Sequence, residues 1–435
     1  MKNTVLVTID CLRNDYYDSR KSNYRFLNYL AGKSTYYPNC YNLADNTLSS
    51  VPQLLTSTFL NSIPYEKNDK GEINVMCQIK EPRKSIAESL KEHGYNTYAF
   101  QTAPHLVHSL GFDKGFDSYD YYNPFLSGSI PLIDNFYKYP FTKAEELNRH
   151  IIKKELKEPY FLWIHYSDTH DPYVDDFFPL PLSNFLWHRF TKRPSIKESG
   201  NLSWPPISSR HSNIFRKLYQ KKVKYIDACL HDLFFNSGKF NIDNLNFILT
   251  SDHGQALGEY NQIGHGYRVI PIPQVSKVPL YVSPYKKLEG HIKNRICTLL
   301  DVVPTISDLV RMPKMNIYDG TSLMEKPDEK SSYLVWSNTL DFDNSKFLLK
   351  IIKNNYIFWQ DDFNFDNPYI YILDDMTIKM ANDSSIEKEF SDIATNHIEY
   401  IKNKQLKYID TRRKSNVQEQ LDPEVYNALR ALRYV

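Results

Sequence analysis

Short apolar runs rich in β-branched residues alternate with helical stretches along the first 250 residues. The first run, residues 4–9 (TVLVTI), is typical of a strand buried on both faces of a parallel sheet. Similar runs are residues 95–101, 160–166 and 247–250, and apolar residues three and four apart predict helices at 85–93 and 214–233. This alternation predicts an α/β fold with a central, mainly parallel sheet sandwiched by helices.

Two segments depart from this alternation of strands and helices. Residues 174–213 are rich in Pro, Ser, Trp and Phe, which favours an insertion or a lid over a site. Past about residue 325, short aromatic runs such as SYLVWS and FLLKIIK predict a small antiparallel sheet, followed by a charged helix at 384–404. We therefore divide the chain into a large domain at 1–325 and a small C-terminal α+β subdomain with a helical tail at 326–435.

The composition is that of an ordinary soluble protein, with 41% hydrophobic and 24% charged residues among 435. The 53 basic and 51 acidic residues leave a net charge of +2, which gives no broad field for nucleic acid or an anionic membrane. Any selectivity for an anion must then come from the side chains of a binding site and not from the charge of the whole protein. The 33 tyrosines suit contacts with sugars, but they suit half-buried packing equally well.

Cysteine usage and the N-terminus indicate the compartment. The five cysteines are widely spaced and form no C-x-x-C pair, so neither a structural zinc site nor a disulfide framework is expected. The first strand leaves no room for a signal peptide before it, and no run reaches the roughly 18 apolar residues of a membrane span. We therefore expect a cytoplasmic protein without a transmembrane segment.

Acidic and histidine side chains follow three of the predicted strands. They are Asp10 after the first, Asp168 with His170 after the third, and Asp252 with His253 after the fourth. Ligands of open α/β sheets bind beyond the carboxyl ends of the strands, so these side chains are expected to converge. Converging carboxylates and imidazoles require a cation, and this mixed set suits Zn²⁺, Mn²⁺ or Mg²⁺ better than Ca²⁺. The alternative for Asp10 is a helix N-cap.

A candidate nucleophile lies within residues 46–57 (NTLSSVPQLLTS). Hydroxyl groups here precede an apolar turn typical of a helix start, where backbone N–H groups favour an anion. A bound metal ion lowers the pKa of a coordinated hydroxyl and so activates it at neutral pH. Taken alone, these residues favour an ordinary Ser or Thr N-cap over a nucleophile.

A series of phrases, in order from about residue 4 to residue 323, resembles the sulfatase family of the alkaline-phosphatase superfamily. The first are VLVTIDCLRND, LKEHGYNTYAF and GFDKGFDSYD, and the next are FLWIHYSDTHDPY and ILTSDHGQALGEY. VPLYV, LLDVVPTISDLV and YDGTSL complete the series. Each phrase alone is a weak signal, but their shared order is specific, and the last 110 residues match only loosely.

This resemblance implies the residues of the site. Asp10, Asp252 and His253 would hold one divalent metal ion (Mn, Zn, Mg or Ca), and Thr47 falls at the position of the nucleophile that also contacts it. His170 and His265 fall where the family binds the ester oxygens and assists the leaving group. The alternatives are a core histidine for His170 and a loop histidine for His265.

Two departures from the family pattern change the expected chemistry. Sulfatases carry C-x-P-S-R or S-x-P-S-R, whose Cys or Ser becomes formylglycine, whereas this chain has TLSSV from Thr47. Threonine cannot form that aldehyde and instead resembles the phosphodiesterase and phosphotransferase branches. Cys11 stands where many members carry a second acid, and we interpret it as a packed thiol rather than a ligand.

An alternative role for some of these acidic and histidine residues is to bind a second metal ion. Asp168, His170 and His265 would bind it, as two-metal phosphatases bind theirs. The spacing here is D-x-H rather than the characteristic D-x-x-x-H, so we favour one ion.

The predicted function is a metal-dependent hydrolase of phosphoric or sulfuric esters, acting on a small molecule or a glycan and not on nucleic acid. One alternative is a phosphotransferase that places a phosphoethanolamine- or phosphoglycerol-type group on a glycan. Family transferases usually carry membrane spans, so hydrolysis is favoured. A non-catalytic binding protein on the same fold is the other alternative. The amphipathic stretch at 405–435 is a candidate contact for a partner or for a second copy in a homo-oligomer.

Overall fold

The structure is a computed structural model. The predicted insertion at 174–213 lies largely outside the described residues, as do Cys77 and the chain beyond residue 412. The described residues are 1–59, 79, 83–104, 106–122, 142–171, 173, 207–266, 272–284, 295–313, 317–326, 333–341, 346–360, 369–374, 376–381 and 384–412, with two-residue strands at 66–67, 73–74, 137–138, 177–178, 195–196 and 202–203.

A seven-stranded sheet forms the centre of the molecule. Its strands are β1 (Thr4–Ile9), β2 (Thr35–Tyr36), β3 (Asn96–Gln101), β4 (Ser118–Tyr121), β5 (Tyr160–Tyr166), β6 (Asn246–Thr250) and β7 (Leu280–Ser283). Their spatial order is β2-β7-β6-β1-β5-β3-β4. The pairs from β6 across to β4 are parallel, whereas β7 runs antiparallel to both of its neighbours. The predicted mainly parallel sheet is confirmed.

Helices cover both faces of this sheet, and each face has its own hydrophobic core. The helices are α1 (Arg25–Lys33), α2 (Thr47–Thr56), α3 (Ile86–Glu92), α4 (Ala144–Lys153), α5 (Ser209–His231) and α6 (Val302–Leu309). Residues of α1, α4 and α5 pack in one core, and residues of α2, α3 and α6 pack in the other. This is the expected sandwich of helices around a sheet.

The side chains of β1 alternate between the two cores. Val5, Val7 and Ile9 lie in the core with α1, α4 and α5, whereas Leu6 lies in the core with α2. Because successive side chains of a strand point to opposite faces, Thr8 and Asp10 belong to the face that carries α2.

The predicted helices at 85–93 and 214–233 are both present, with adjusted ends. Ser85 and Glu88 form a reciprocal capping box at the start of α3. Helix α5 begins at Ser209, before the predicted start at residue 214, because the Ser208 side chain caps it and its first turn is polar. An apolar pattern marks only the part of a helix that faces the core.

A second, antiparallel sheet follows the α/β part, as the aromatic runs predict. It consists of β8 (Tyr333–Asp341), β9 (Lys346–Lys353), β10 (Tyr356–Gln360), β11 (Tyr369–Asp374) and β12 (Thr377–Met380), in that spatial order. Helix α7 (Ser384–Arg412) packs on one face through Phe390, Ala394 and Ile401. Ile352 and Ile357 belong to a cluster that joins the sheet to the α/β part. The domain boundary near residue 325 stays a prediction.

Short elements complete the described chain. Cys40–Tyr41, Lys277–Val278 and Cys297–Thr298 form a small sheet, and Ala256–Leu257 pairs with Ile263–Gly264. Helical turns lie at Asn14–Tyr16, His108–Leu110, Asp232–Asn236, Ile242–Asn244, Glu259–Asn261, Pro273–Ser276 and Leu299–Asp301. The four described cysteines are free thiols. Within the described residues, no helix is both long and apolar enough to cross a membrane.

Candidate active site

Adjacent parallel strands bring Asp10 and Asp252 to one edge of the central sheet. Strands β6 and β5 flank β1, and Thr8 is in register with Thr250 on one side and His165 on the other. Asp10 and Asp252 each lie two residues beyond this row, so both leave the sheet at the same level. Both side chains are fully buried. The predicted convergence of these two strand ends is present.

His253 turns one ring nitrogen toward the same point. Its Nδ1 lies 2.9 Å from the carbonyl oxygen of Gly254, an arrangement in which Nδ1–H donates and Nε2 carries the lone pair. Nε2 lies 3.7 Å from Oδ1 of Asp10 and 3.5 Å from Oδ2 of Asp252. Glycine is required at position 254, since a Cβ there would lie 2.0 Å from the carbonyl oxygen of Gln274.

Thr47 is the first residue of α2, and the start of this helix is tied to the carboxylates. The Asn46 side chain caps the helix by accepting from the backbone N–H of Ser49, and the Ser50 hydroxyl donates to the carbonyl oxygen of Asp252 at 2.7 Å. Oγ1 of Thr47 lies 3.2 Å from Nε2 of His253, and the side chain is fully buried. The predicted hydroxyl at a helix N-terminus therefore lies at the carboxylate pair.

Burial and mutual repulsion perturb the two carboxyls. Burial, together with the charge of Asp252, raises the pKa of Asp10 well above its usual value. Burial opposes ionisation of Asp252 too, but the neighbouring His253 and His165 outweigh it and lower the pKa of Asp252. Burial also lowers the pKa of His165 to about 4, so this imidazole is neutral near pH 7.

The donor atoms around Asp10 have the composition of a cation site. Both carboxylate oxygens of Asp10 and Oδ2 of Asp252 are buried and accept no hydrogen bond from the described residues. Unpaired buried carboxylates are unfavourable unless a cation binds them. Three groups of side chains in the described chain bring ligand atoms within 4.8 Å of one another: Asp10, Cys11 and His253; Asp10, His165 and Asp252; and Cys11, His170 and His265.

A hydrogen-bonded network holds two further histidines beside this centre. Nδ1 of His265 lies 2.5 Å from Oε1 of Gln255, whose amide donates to Asp171 at 3.3 Å. Nδ1 of His170 lies 2.7 Å from the carbonyl oxygen of Asp171. The rings of His170 and His265 are 4.8 Å apart, and those of His253 and His265 are 4.3 Å apart. The structure thus brings His265 beside His253, and His170 beside His265.

Comparison with known proteins identifies the family. A family model described as Sulfatase matches residues 2–312, more than half of the chain. The chain belongs to the sulfatase family.

Solved structures of the superfamily share the fold at low sequence identity. A 2-O GAG sulfatase superposes with a TM-score of 0.65 at 13% identity, over 98% of this chain and 96% of that one. A phosphonate monoester hydrolase from Silicibacter pomeroyi has a TM-score of 0.63 at 14% identity, over 92% and 95%. These likenesses confirm the predicted alkaline-phosphatase/sulfatase fold.

An arylsulfatase of Clostridium perfringens (strain 13 / Type A) is 21% identical over 208 residues. The match covers 44% of this chain and 42% of that sulfatase, so it spans less than half of this curated relative. A match of this length does not show that this chain has the activity of the arylsulfatase.

Cys11 occupies the place where many members of the sulfatase family carry a second acid. Its backbone has a left-handed φ of 62°, which non-glycine residues rarely adopt, and its N–H donates to Oδ1 of Asp252 at 3.2 Å. Its Sγ lies 3.4 Å from Nδ1 of His265 and 3.7 Å from Nδ1 of His253. Burial raises the pKa of this thiol well above its usual value, so the neutral, packed thiol that we predicted agrees with its surroundings.

Asp168 does not lie with the other residues of the proposed second metal set. Its Oδ1 accepts from the backbone N–H of Ala144 at the start of α4, and the charge of Lys222 acts on it. Among the described residues, the potential metal ligand that groups with His170 and His265 is Cys11.

His165 and Gln255 are site residues that the sequence interpretation missed. His165 lies inside the apolar run of β5, where a buried polar side chain resembles part of the core. Gln255 directly follows the Asp252-His253-Gly254 turn and orients His265. The one signal in the sequence was the alternation of β5, which places His165 on the same face of the sheet as Trp163.

Proposed function

We propose that the protein is a metal-dependent hydrolase of phosphoric or sulfuric esters with Thr47 as its nucleophile. The observation that carries the proposal is the meeting of Asp10, Asp252, Thr47 and Nε2 of His253 at one buried point, where three carboxylate oxygens have no hydrogen-bond partner among the described residues. Membership of the sulfatase family supports ester chemistry.

Asp10, Asp252, His253 and Thr47 would hold one divalent ion. The carboxylates provide two negative charges and oxygen donors, and the lone pair of His253 provides a nitrogen donor, a set that suits Mn²⁺, Zn²⁺ or Mg²⁺. Such an ion supplies positive charge that lowers the pKa of the Thr47 hydroxyl and polarises the ester.

The position of Thr47 prepares it for attack. Its hydroxyl donates to Nε2 of His253, so it already lies where the ligand atoms meet. Because Thr47 begins α2, the backbone N–H groups of the first turn face an anionic ester group. In the proposed step, Oγ1 of Thr47 loses its proton to solvent and forms a bond to phosphorus, while the bond to the leaving oxygen breaks and that oxygen takes a proton from His170 or His265. Water then attacks phosphorus, gives one proton to Oγ1 of Thr47 and leaves its hydroxyl on the released phosphate.

His170 and His265 are placed to stabilise the leaving oxygen. The Nδ1–H of His265 donates to Gln255 and that of His170 donates to the carbonyl oxygen of Asp171, so in each ring Nε2 is the nitrogen that exchanges a proton with the ester. Either imidazolium would give its proton to the leaving oxygen as the bond breaks.

Threonine favours a phosphorus ester over a sulfate ester. The sulfatase reaction uses an aldehyde made from Cys or Ser, which Thr47 cannot provide, whereas a threonine hydroxyl is a direct nucleophile for phosphorus. The shared fold of a phosphonate monoester hydrolase is compatible with this choice. The 2-O GAG sulfatase acts, by its name, on a glycan, and we extend only the class of glycan or small-molecule ester to this protein.

The experiment compares Thr47→Ala with wild type on chromogenic phosphomonoester, phosphodiester, phosphonate and sulfate substrates, each with Mn²⁺, Zn²⁺, Mg²⁺ and Ca²⁺. We expect turnover of a phosphorus ester to fall by roughly 10³-fold or more in Thr47→Ala, because the nucleophile is lost. The matched control is Ser49→Ala in the same helical turn, which should keep wild-type turnover. Wild-type activity in Thr47→Ala would exclude the nucleophile assignment.

The same assays separate a hydrolase from a transferase. Products are analysed with and without a sugar acceptor, since a hydrolase releases the same product in both cases. An acceptor-dependent product would assign the chain to the transferase alternative while leaving the role of Thr47 intact.

A further inference from the structure

His165 lies directly behind the carboxylate pair on the central sheet. It is in register with Thr8 on β1, one row before Asp10, and it belongs to the face of the sheet that carries α2. The side chain is fully buried in the interior of β5. Neither the proposed mechanism nor the family resemblance assigns it a role.

The orientation of the His165 ring is fixed by Thr8. Nδ1 lies 2.7 Å from Oγ1 of Thr8, which also accepts from Nε1 of Trp163 at 2.9 Å and lies 3.3 Å from the carbonyl oxygen of Ile164. The indole N–H can only donate, and the threonine hydroxyl donates to the Ile164 carbonyl. With the threonine proton directed to the Ile164 carbonyl, Nδ1–H of His165 donates to Thr8 and the lone pair is on Nε2.

That lone pair has no hydrogen-bond partner within the described chain. Nε2 of His165 is buried and unpaired, as are both oxygens of Asp10 and Oδ2 of Asp252. The ligand atoms of these three residues lie within 4.8 Å of one another. A histidine lone pair close to two carboxylates is repulsive unless a cation lies between them.

We propose that His165 is a ligand of the divalent ion, binding it through Nε2 from strand β5. This inference rests on the proposed function, since it concerns the same ion. The arrangement is typical of protein metal sites, in which the second N–H of a ligating histidine donates to a fixed partner, here Thr8.

The added imidazole changes the expected metal selectivity. Two imidazoles, His165 and His253, together with two carboxylates favour Mn²⁺ or Zn²⁺ over Ca²⁺, which prefers six to eight oxygen ligands. The protein should therefore bind Mn²⁺ more tightly than Ca²⁺ in direct competition.

The experiment measures Mn²⁺ binding to the full chain, by chelator competition and by pulsed EPR of protein loaded with one equivalent of Mn²⁺. Pulsed EPR counts the imidazole nitrogens that are coupled to the ion. Wild type should show two imidazoles, and His253→Asn and His165→Gln should each show one. We expect His165→Gln and Thr8→Val to weaken Mn²⁺ binding by roughly 10- to 100-fold. His150→Gln, on α4 at the other face of the sheet, is the control with unchanged affinity.

The outcomes distinguish a failure of the His165 ligand from a failure of the proposed function. If wild type binds one Mn²⁺ with a single coupled imidazole, and His253→Asn shows none, His165 is not a ligand although the metal site stands. If wild type binds no stoichiometric Mn²⁺, Zn²⁺ or Mg²⁺, the proposed function itself fails. If His165→Gln does not fold, His253→Asn combined with His170→Gln and His265→Gln decides the question. A coupled imidazole that remains in this protein is assigned to His165, and its absence excludes His165 as a ligand.

Discussion

Asp168 is fully buried between the end of β5 and the start of α4. Burial raises the pKa of its carboxyl to about 7, although Lys222 and the N–H of Ala144 favour the ionised form. Between about pH 4 and pH 7 the carboxyl is then protonated in the folded protein and ionised in the unfolded chain. The unfolded chain binds fewer protons in this window, so the free energy of unfolding falls as pH rises.

Asp168→Asn should remove this part of the pH dependence. The difference between the usual carboxyl pKa of 3.8 and a pKa of about 7 in the folded protein corresponds to roughly 4 kcal/mol. This stabilisation is lost progressively from about pH 4 to about pH 7 in wild type and is absent in the variant. Urea unfolding of metal-free protein at pH 5, 6 and 7 measures it. Asp392→Asn, an exposed change on α7, should keep the wild-type slope. Equal slopes in wild type and Asp168→Asn would contradict the assignment.

At the residue scale, the sequence indicates candidate site residues where the signal lies in a few neighbouring residues of the chain. An acid after a β-branched run marks Asp10 and Asp252 without knowledge of contacts. A hydroxyl before an apolar turn marks only residues 46–57, and the family resemblance was needed to select Thr47. His165 could not be predicted in this way, because its neighbours depend on the register between β1 and β5. The role of Asp168 in a second metal site stays a prediction. Among the described residues, Asp168 is not part of the groups whose ligand atoms lie within 4.8 Å of one another.

At the element scale, the start of α2 determines the position of Thr47. The Asn46 side chain caps the helix, and the Ser50 hydroxyl ties it to the carbonyl of Asp252. A residue at N1 has no intrahelical partner for its own N–H, so the cap fixes the angle at which the first turn meets the carboxylates.

Asn46→Ala should therefore affect activity more than stability. Loss of the cap lowers the free energy of unfolding by about 1 kcal/mol, while displacement of Thr47 lowers turnover by roughly 10-fold or more. Ser208→Ala removes the cap of α5, away from the site, and is the matched control. It should show a similar loss in urea unfolding with unchanged turnover. Parallel losses of turnover in both variants would argue against a positioning role for the α2 cap.

Strands and helices could be predicted where their hydrophobic pattern extends over enough residues to be distinctive. The runs that became β1, β5 and β6 and the helix pattern of α3 were sufficient, whereas β4 (SYDY) and β7 (LYVS) are short and partly polar, so their pattern does not distinguish strand from loop. Their membership of the sheet is decided by pairing with neighbours distant in sequence.

At the scale of the whole molecule, Lys350 connects the C-terminal sheet to the site. This residue of β9 is 2% exposed. Its Nζ lies 3.1 Å from Oγ of Ser276 and 3.8 Å from Oδ1 of Asp45, two residues before Thr47. Burial lowers the pKa of Lys350, while Asp45 opposes the shift. No local pattern could have predicted this contact, since it joins segments about 300 residues apart.

Lys350→Met should destabilise the protein by about 1–3 kcal/mol, because it leaves Asp45 and Ser276 without their buried partner. The control is Lys353→Met on the same strand, whose pair with Glu389 is largely solvent-exposed. That pair contributes roughly 0–1 kcal/mol. Urea unfolding of both variants measures the difference, and equal stabilities would show that the Lys350 contact contributes nothing beyond a surface pair.

Anomalous diffraction at the manganese edge, from crystals soaked in Mn²⁺, shows where the divalent ion binds. We expect one strong anomalous peak within about 2.5 Å of carboxylate oxygens of Asp10 and Asp252, beside Oγ1 of Thr47 and Nε2 of His253. A saturated crystal with no peak at this point, or with its one strong peak elsewhere, would contradict the metal centre on which the proposed function depends.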